Sequence, residues 1–215
     1  TLEFAYNRIL KLLSRSYSGL TGDPRTTWLD VSLARLRPKR VFMMGEVTNP
    51  GGYTVNSYAT VFSALFSVGG PTVDGSLREV RVMRGGKTVA RVDQYDYLLG
   101  SEQSDDIRVQ NNDIIFVPVR SSTVSIRGAV RRPATYELKK GEGLVDLLRF
   151  SGGLLPEAYG PKAQIERIRP LARRTGGVED HAVVDLDLSA VLGGAEKQEL
   201  FDGDVVEIFA ILDFL

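Results

Sequence analysis

Few side chains in this sequence are of the types that do chemistry, and their spacing limits what each can do. His181 is the only histidine among 215 residues and cysteine is absent, so a two-histidine metal site, a thiolate zinc site and a cysteine nucleophile are excluded. A Ser-His-Asp arrangement would need His181 as its base. That residue lies in GGVEDHA, a polar stretch with two glycines that reads as an exposed loop. Asp185 and Asp187, two positions apart, fall on one side of a strand and resemble the carboxylate pair of a hydrolase. The matching residues of an earlier segment, VDQYDYLLG, are Asp93 and Tyr95; the pair is not repeated, and solvation of a strand end accounts for it. NND at 111–113 and DGD at 202–204 lack the twelve-residue ligand spacing of a calcium loop and read as turns before β-rich runs. RGGK and GEGL lack the lysine and hydroxyl that close a phosphate loop; RGGK reads as a hairpin turn with a Gly-Gly centre. Nothing assembles nucleophile, base and oxyanion donors, so the sequence describes no enzyme and calls for no cofactor and no metal.

What remains is binding chemistry. Tyr58 and Tyr159 can stack on sugar rings, and the pairs Arg131-Arg132 and Arg173-Arg174 can meet an acidic polysaccharide or a neighbouring subunit. Each arginine pair occurs once, in a loop-like stretch. Lys+Arg 27 balances Asp+Glu 27, so no overall field favours nucleic acid, which is not an expected partner. The chain is 43% hydrophobic and 25% charged, enough to build real cores. No apolar run approaches the ~20 residues a membrane span needs.

The elements that must position these residues come from an internal repeat. Gly45 and Gly128 are 83 apart, as are Val41 and Val124, Val47 and Val130, Pro50 and Pro133, Tyr53 and Tyr136, Leu65 and Leu148, and the pairs Gly69-Gly70 and Gly152-Gly153. Each copy runs alternating strand, proline turn, short strand, helix and Gly-Gly stop, then further strands. The helix is marked by Val61, Leu65 and Val68 in the first copy and by Leu144, Leu147 and Leu148 in the second. Gly45 inside a strand signals a bulge or close backbone approach. Pro50 presets φ, and Gly51 suits the positive-φ corner of a type II turn. Tyr53 and Tyr136, as repeated residues, are expected to pack. A ββαββ order in about 80 residues points to a small α+β domain with one helix across a mixed sheet, for which the β-grasp is the simplest solution. Ahead of the repeat, Leu2, Tyr6, Ile9 and Leu13 mark an amphipathic helix, and Leu29, Val31, Leu33 and Leu36 mark a strand. The amphipathic start and the apolar end, IFAILDFL, read as a piece of a longer protein.

The stretches VFMMGEVTNPGGYTV, SALFSVGGPTVDGSLREVRVMRGGK and DIRVQNNDIIFVP resemble the soluble-ligand-binding β-grasp (SLBB) domain, and VSIRGAVRRPATYELKKGEGLVDLLRFSGG resembles a second copy. Tandem copies are typical of the bacterial polysaccharide-export family of outer-membrane proteins, where an export domain precedes them. LKLLSRSYSGL and TWLDVSLARLRPKR resemble the end of that domain. The resemblance implies two tandem β-grasp (ubiquitin-like) domains, at 38–120 and 121–215, after a helix-strand remnant of an export domain at 1–37. It implies a periplasmic segment of an outer-membrane-associated protein. The full-length parent would form a ring-shaped homo-oligomer through which capsular or exopolysaccharide passes. The fragment by itself would be monomeric, and an inner-membrane chain-length regulator kinase would be a further partner. The alternative is a module binding a small soluble ligand or glycan. Two departures stand out. Ala134 and Thr135 replace Gly51 and Gly52, which implies a turn with less backbone freedom, and PLARRTGGVEDHA lengthens one hairpin of the second copy.

Overall fold

The structure is a computed structural model that describes residues 2–32, 36–99, 106–168, 174, 176, 180–194 and 197–214. The first copy opens with strand β1 (Lys39–Gly45), whose alternation sends Val41 and Met43 fully inward. It pairs antiparallel with β2 (Gly51–Val55). Helix α2 (Val61–Ser67) follows and presses Val61, Ala64 and Leu65 onto the sheet. It starts at Thr60 because the Thr60 hydroxyl accepts from the Ser63 N–H and the Ser63 hydroxyl accepts from the Thr60 N–H, satisfying two otherwise orphaned donors. Strands β3 (Val80–Arg84) and β4 (Lys87–Val92), the short helix α3 (Gln94–Leu98) and strand β5 (Ile114–Val117) complete the unit. The sheet order is β2-β1-β5-β3-β4, with β1 and β5 parallel at its centre.

The second copy repeats this plan with β6 (Ser122–Gly128), β7 (Ala134–Leu138), α4 (Leu144–Phe150), β8 (Ala158–Ile168), β9 (His181–Leu186), α5 (Leu188–Leu192) and β10 (Val205–Ala210). Its order, β7-β6-β10-β8-β9, is the same topology. Two mixed sheets, each crossed by one helix, make a tandem α+β pair of β-grasp units.

The glycines that recur 83 apart have a definite task. Gly45 and Gly128 end their first strands at φ +83° and +85°. A Cβ there would lie 2.1 Å from the Val117 carbonyl oxygen, or 2.0 Å from that of Ile208. No side chain fits, because the chain must leave the central parallel pair at the point where the partner strand's carbonyl comes closest.

Elsewhere the structure departs from the sequence pattern. The alternation at 29–36 forms no strand among the described residues, and Leu33 lies outside them. An isolated strand has no ladder to satisfy its backbone, and both sheets here already carry five strands. Helix α1 (Leu2–Leu13) forms as its spacing predicts, yet buries no residue. Gly51 is not the corner of a type II turn: it begins β2 at φ +150°, opposite Met43. Gly52 lies beneath the Phe42 ring, since a Cβ there would meet that ring at 3.2 Å. In the second copy the corresponding pair is Ser125 and Thr135, whose hydroxyls hydrogen-bond at 2.8 Å. The glycine pair therefore makes room for a covering aromatic ring, and Ala134-Thr135 reflects a polar pair in its place. His181 is exposed, but it opens β9 opposite Ile168 rather than sitting in a loop.

Candidate functional site at the junction of the two domains

The hairpin loop that distinguishes both copies closes on the end of its own helix. The Tyr53 hydroxyl donates to the Asn49 carbonyl at 3.0 Å, and the Tyr136 hydroxyl to the Arg132 carbonyl at 2.8 Å. The side chain of that looped residue then reaches the helix C-terminus. Asn49 Nδ2 donates to the Val68 carbonyl at 2.8 Å, and Arg132 Nη2 to the Phe150 carbonyl at 3.1 Å. Orphaned carbonyls at a helix end are thus satisfied by the neighbouring hairpin. Gly69, Gly70, Gly152 and Gly153 follow those helices, all at positive φ.

A second repeated device escaped the sequence reading. Asp113 and Asp204, taken there for turn residues, are buried carboxylates. Asp113 receives Arg84 Nε at 2.7 Å and the Gln110 N–H at 2.7 Å, while Asp204 receives Arg167 Nη2 at 2.7 Å and the Phe201 N–H at 2.9 Å. Burial pushes the Asp113 carboxyl up, but the hydrogen bonds from Arg84 and Gln110 outweigh it and hold it below its ordinary range. Each pair ties the loop before the last strand to the third strand of its sheet.

The other acidic pair needs a correction. Asp93 is the N-cap of α3 and Asp187 the N-cap of α5, each accepting a backbone N–H two residues on. Asp93 therefore corresponds to Asp187, not to Asp185. Asp185 stays in the strand, exposed, bonded to Gln164 at 2.7 Å and 3.5 Å from Lys162. Asp187 has already left the strand, so the two carboxylates share no site.

The residues singled out for binding do not converge. Arg131 donates its backbone N–H to the Gly153 carbonyl, and Arg132 is committed to the helix end. Arg174 is exposed, and Arg173 lies outside the described residues. Tyr58 is 55% exposed beneath the Arg108 guanidinium, 5.5 Å from its ring centre. Tyr159 is half-buried against Phe214, with ring centres 4.6 Å apart.

What the fold does assemble is a junction between the copies. Arg78, in the segment leading to β3, is 5% exposed. Its guanidinium bonds Asp93 of its own domain through Nε and Nη2, Glu142 of the second domain through Nη1 and Nη2, and the Glu137 carbonyl through Nη1. It also lies 4.8 Å from the ring centres of both Tyr95 and Phe150. The Glu137 carboxylate, buried, accepts from the Ser76 hydroxyl at 2.8 Å and the Leu77 N–H at 3.1 Å. The Glu137 N–H donates to the Tyr95 hydroxyl at 2.9 Å, and Lys139 Nζ donates to Asp93 at 2.7 Å. The Tyr95 ring joins the hydrophobic core of the second domain. Burial drives the Asp93 carboxyl upward, yet the hydrogen bonds from Arg78 and Lys139 prevail and hold it below its ordinary value. Burial raises the Tyr95 phenol.

Apart from Asp93 and Tyr95, noted in the sequence but not as a junction, none of these residues stood out there, although a signal was present. At the repeat spacing Arg78 stands opposite Pro161, Glu137 opposite Thr54, Lys139 opposite Asn56 and Glu142 opposite Ala59. Two copies of one fold that differ in charge at matched positions mark the faces on which they differ in partners. Two cavities of about 460 and 440 Å³ flank the junction and share Ser121, Lys139 and Lys140 in their walls.

Taken together, two five-stranded mixed sheets of identical order, each with one crossing helix, define a protein of the tandem β-grasp class. The chain belongs to the SLBB domain family: the family model matches residues 40–93 and 123–184, one segment in each sheet and together more than half the chain. Two curated proteins, both polysialic acid transport protein KpsD of Escherichia coli, are 29% identical to it over 110 residues, which is 51% of this chain and 20% of theirs. The match thus spans about a fifth of the length of these relatives.

Proposed function

We propose that this chain is a non-enzymatic, periplasmic segment of a bacterial outer-membrane-associated protein that exports capsular or extracellular polysaccharide. In the full-length protein its two domains form layers of a ring-shaped homo-oligomer around the exported chain. The observation that carries this reading is SLBB family membership in both halves, joined to similarity with a polysaccharide transport protein. The junction supports it physically, since the wall of a conduit needs domains held at a fixed angle, and the Arg78 network supplies that. The acidic residues weighed as calcium ligands or as a hydrolase pair have structural partners: Asp113 and Asp204 in ion pairs, Asp187 as a helix cap. Among the described residues no helix is long and apolar enough to cross a membrane.

The test is imaging of the full-length protein extracted from bacterial envelopes in detergent. A closed ring is expected, and a strict monomer overturns the reading. The 215-residue chain by itself is expected to be monomeric, because single β-grasp faces bury too little area for stable assembly. An inner-membrane chain-length regulator kinase is a further partner by pathway analogy, tested by co-purification with the full-length protein. A second reading, a module that binds a small ligand or glycan, is favoured by the two cavities at the junction.

A further inference from the structure

Most charges around the larger junction cavity have their partners. Glu79 bonds Arg91 at 2.9 Å, Lys139 bonds Asp93 at 2.7 Å, and Glu137 takes Ser76 and Leu77. Two cations in its wall do not. Neither Arg81 nor Lys140 has a carboxylate within ion-pair distance among the described residues. Arg81 Nε is moreover buried without a hydrogen-bond partner. A buried donor left unsatisfied is costly, and Arg81 lines the cavity with no carboxylate partner among the described residues. Arg81 is fixed on β3, directly across from Arg91 of β4, whose charge is met by Glu79, so Arg81 is the cation of that pair left without a carboxylate among the described residues.

We infer that the groove between the two domains binds a carboxylated sugar unit. Arg81 of the first domain and Lys140 of the second grip its carboxylate, and Ser121, in the walls of both cavities, meets its hydroxyls. The volume of about 460 Å³ falls within the usual size of small-ligand sites. A planar guanidinium beside an ammonium suits a carboxylate, which the guanidinium can engage through two parallel hydrogen bonds. Because the two cations come from different domains, the Arg78 network sets the gap between them. This inference rests on the polysaccharide reading and names the chemical class of the sugar.

The test is calorimetric titration of the 215-residue chain with three probes: a glucuronate-containing tetrasaccharide, a neutral glucose tetrasaccharide of equal length, and inorganic phosphate. The acidic tetrasaccharide is expected to bind, and the neutral one at least about tenfold more weakly. Arg81→Gln and Lys140→Gln are each expected to weaken acidic binding about tenfold with an unfolding midpoint no lower than that of the wild-type chain. Arg78→Met, which removes no group from the site, is expected to weaken it as well. No heat with any probe overturns the site. Equal binding of the neutral sugar overturns the role of the cations, and phosphate binding as tight as the tetrasaccharide overturns the saccharide assignment. Ring formation by the full-length protein is read separately by imaging, so failure here leaves that result standing on its own.

Discussion

Replacing Arg78 by methionine keeps an unbranched apolar stem and removes the charge and the donors that join the domains. Two carboxylates lose their shared partner. Asp93 retains Lys139 Nζ at 2.7 Å, and Glu142 retains only the Lys139 N–H at 2.7 Å. Breaking a buried ion pair by removing one partner costs about 3–5 kcal/mol. The guanidinium also sits against two aromatic rings, a contribution of about 1–2 kcal/mol. Methionine recovers part of this by packing on the same rings, and the partial exposure of Glu142 lets water relieve some strain. A net loss of about 3 kcal/mol is expected. For a cooperative unit of this size that lowers the midpoint by about 6–12 °C. Scanning calorimetry is the direct assay: the wild-type chain should melt in one transition, and the variant in two as each domain unfolds by itself. Arg78→Lys should fall between them, since an ammonium keeps the charge but not the fork. A cycle with Glu142→Gln should give a coupling of about 1–3 kcal/mol. A single transition within about 1 °C of wild type in Arg78→Met would refute the reasoning, because it would mean that the apolar contacts of Tyr95 hold the domains without the network.

The same junction should be sensitive to acid. The Asp93 carboxyl titrates below its ordinary value of 3.8 in the folded chain, so its contribution is complete above about pH 4 and is lost as pH falls through the folded value; the midpoint of wild type should drop over that range more steeply than that of Asp93→Asn. Gln94 is 1% exposed with both amide atoms unpartnered, and Leu188 occupies its place in the second copy. Gln94→Leu should therefore raise stability by about 1–3 kcal/mol in denaturant unfolding, and a loss would show that the amide has an unrecognised partner. Gly128→Ala drives a Cβ onto the Ile208 carbonyl and should cost about 3 kcal/mol or more. Gly153→Ala, at similar φ with nothing within 4 Å, should cost only about 1–2 kcal/mol; equal losses would contradict the close-approach argument.

How much of this was legible depends on the range of the interactions. The repeat spacing carries the backbone demands that a glycine, a proline and a tyrosine impose locally, so the entry hairpins and both crossing helices could be read from it, whereas α3, α5 and the fifth strand of each sheet go beyond the ββαββ order expected. The alternation at 29–36 misled because periodicity reports which residues would share a face, not whether a neighbouring strand exists to accept the ladder. The Asp93–Asp187 match was missed because residues were aligned by type, whereas a helix cap is defined by which N–H the carboxylate reaches. The buried pairs Arg84–Asp113 and Arg167–Asp204 join residues 29 and 37 positions apart. No local pattern announces such a pair, and an aspartate in a turn motif looks the same whether it is solvated or sealed. The junction was the least visible feature, since its members come from five stretches of the chain, at 76–78, 93–95, 137–139, 142 and 150, and belong to no shared motif.

The junction also has a direction. The first copy presents a guanidinium and a phenol, and the second presents carboxylates and a ring, so the two faces are complementary without being alike. A contact of that kind can in principle be extended without limit, each unit offering the next the same face, and fibres grow in this way. Here the second copy holds Pro161 and Ser189 where the first holds Arg78 and Tyr95. The docking rule works once and then has nothing to offer a following unit. The contact is thus tied to the order of the two units, by residues that differ between copies of one fold.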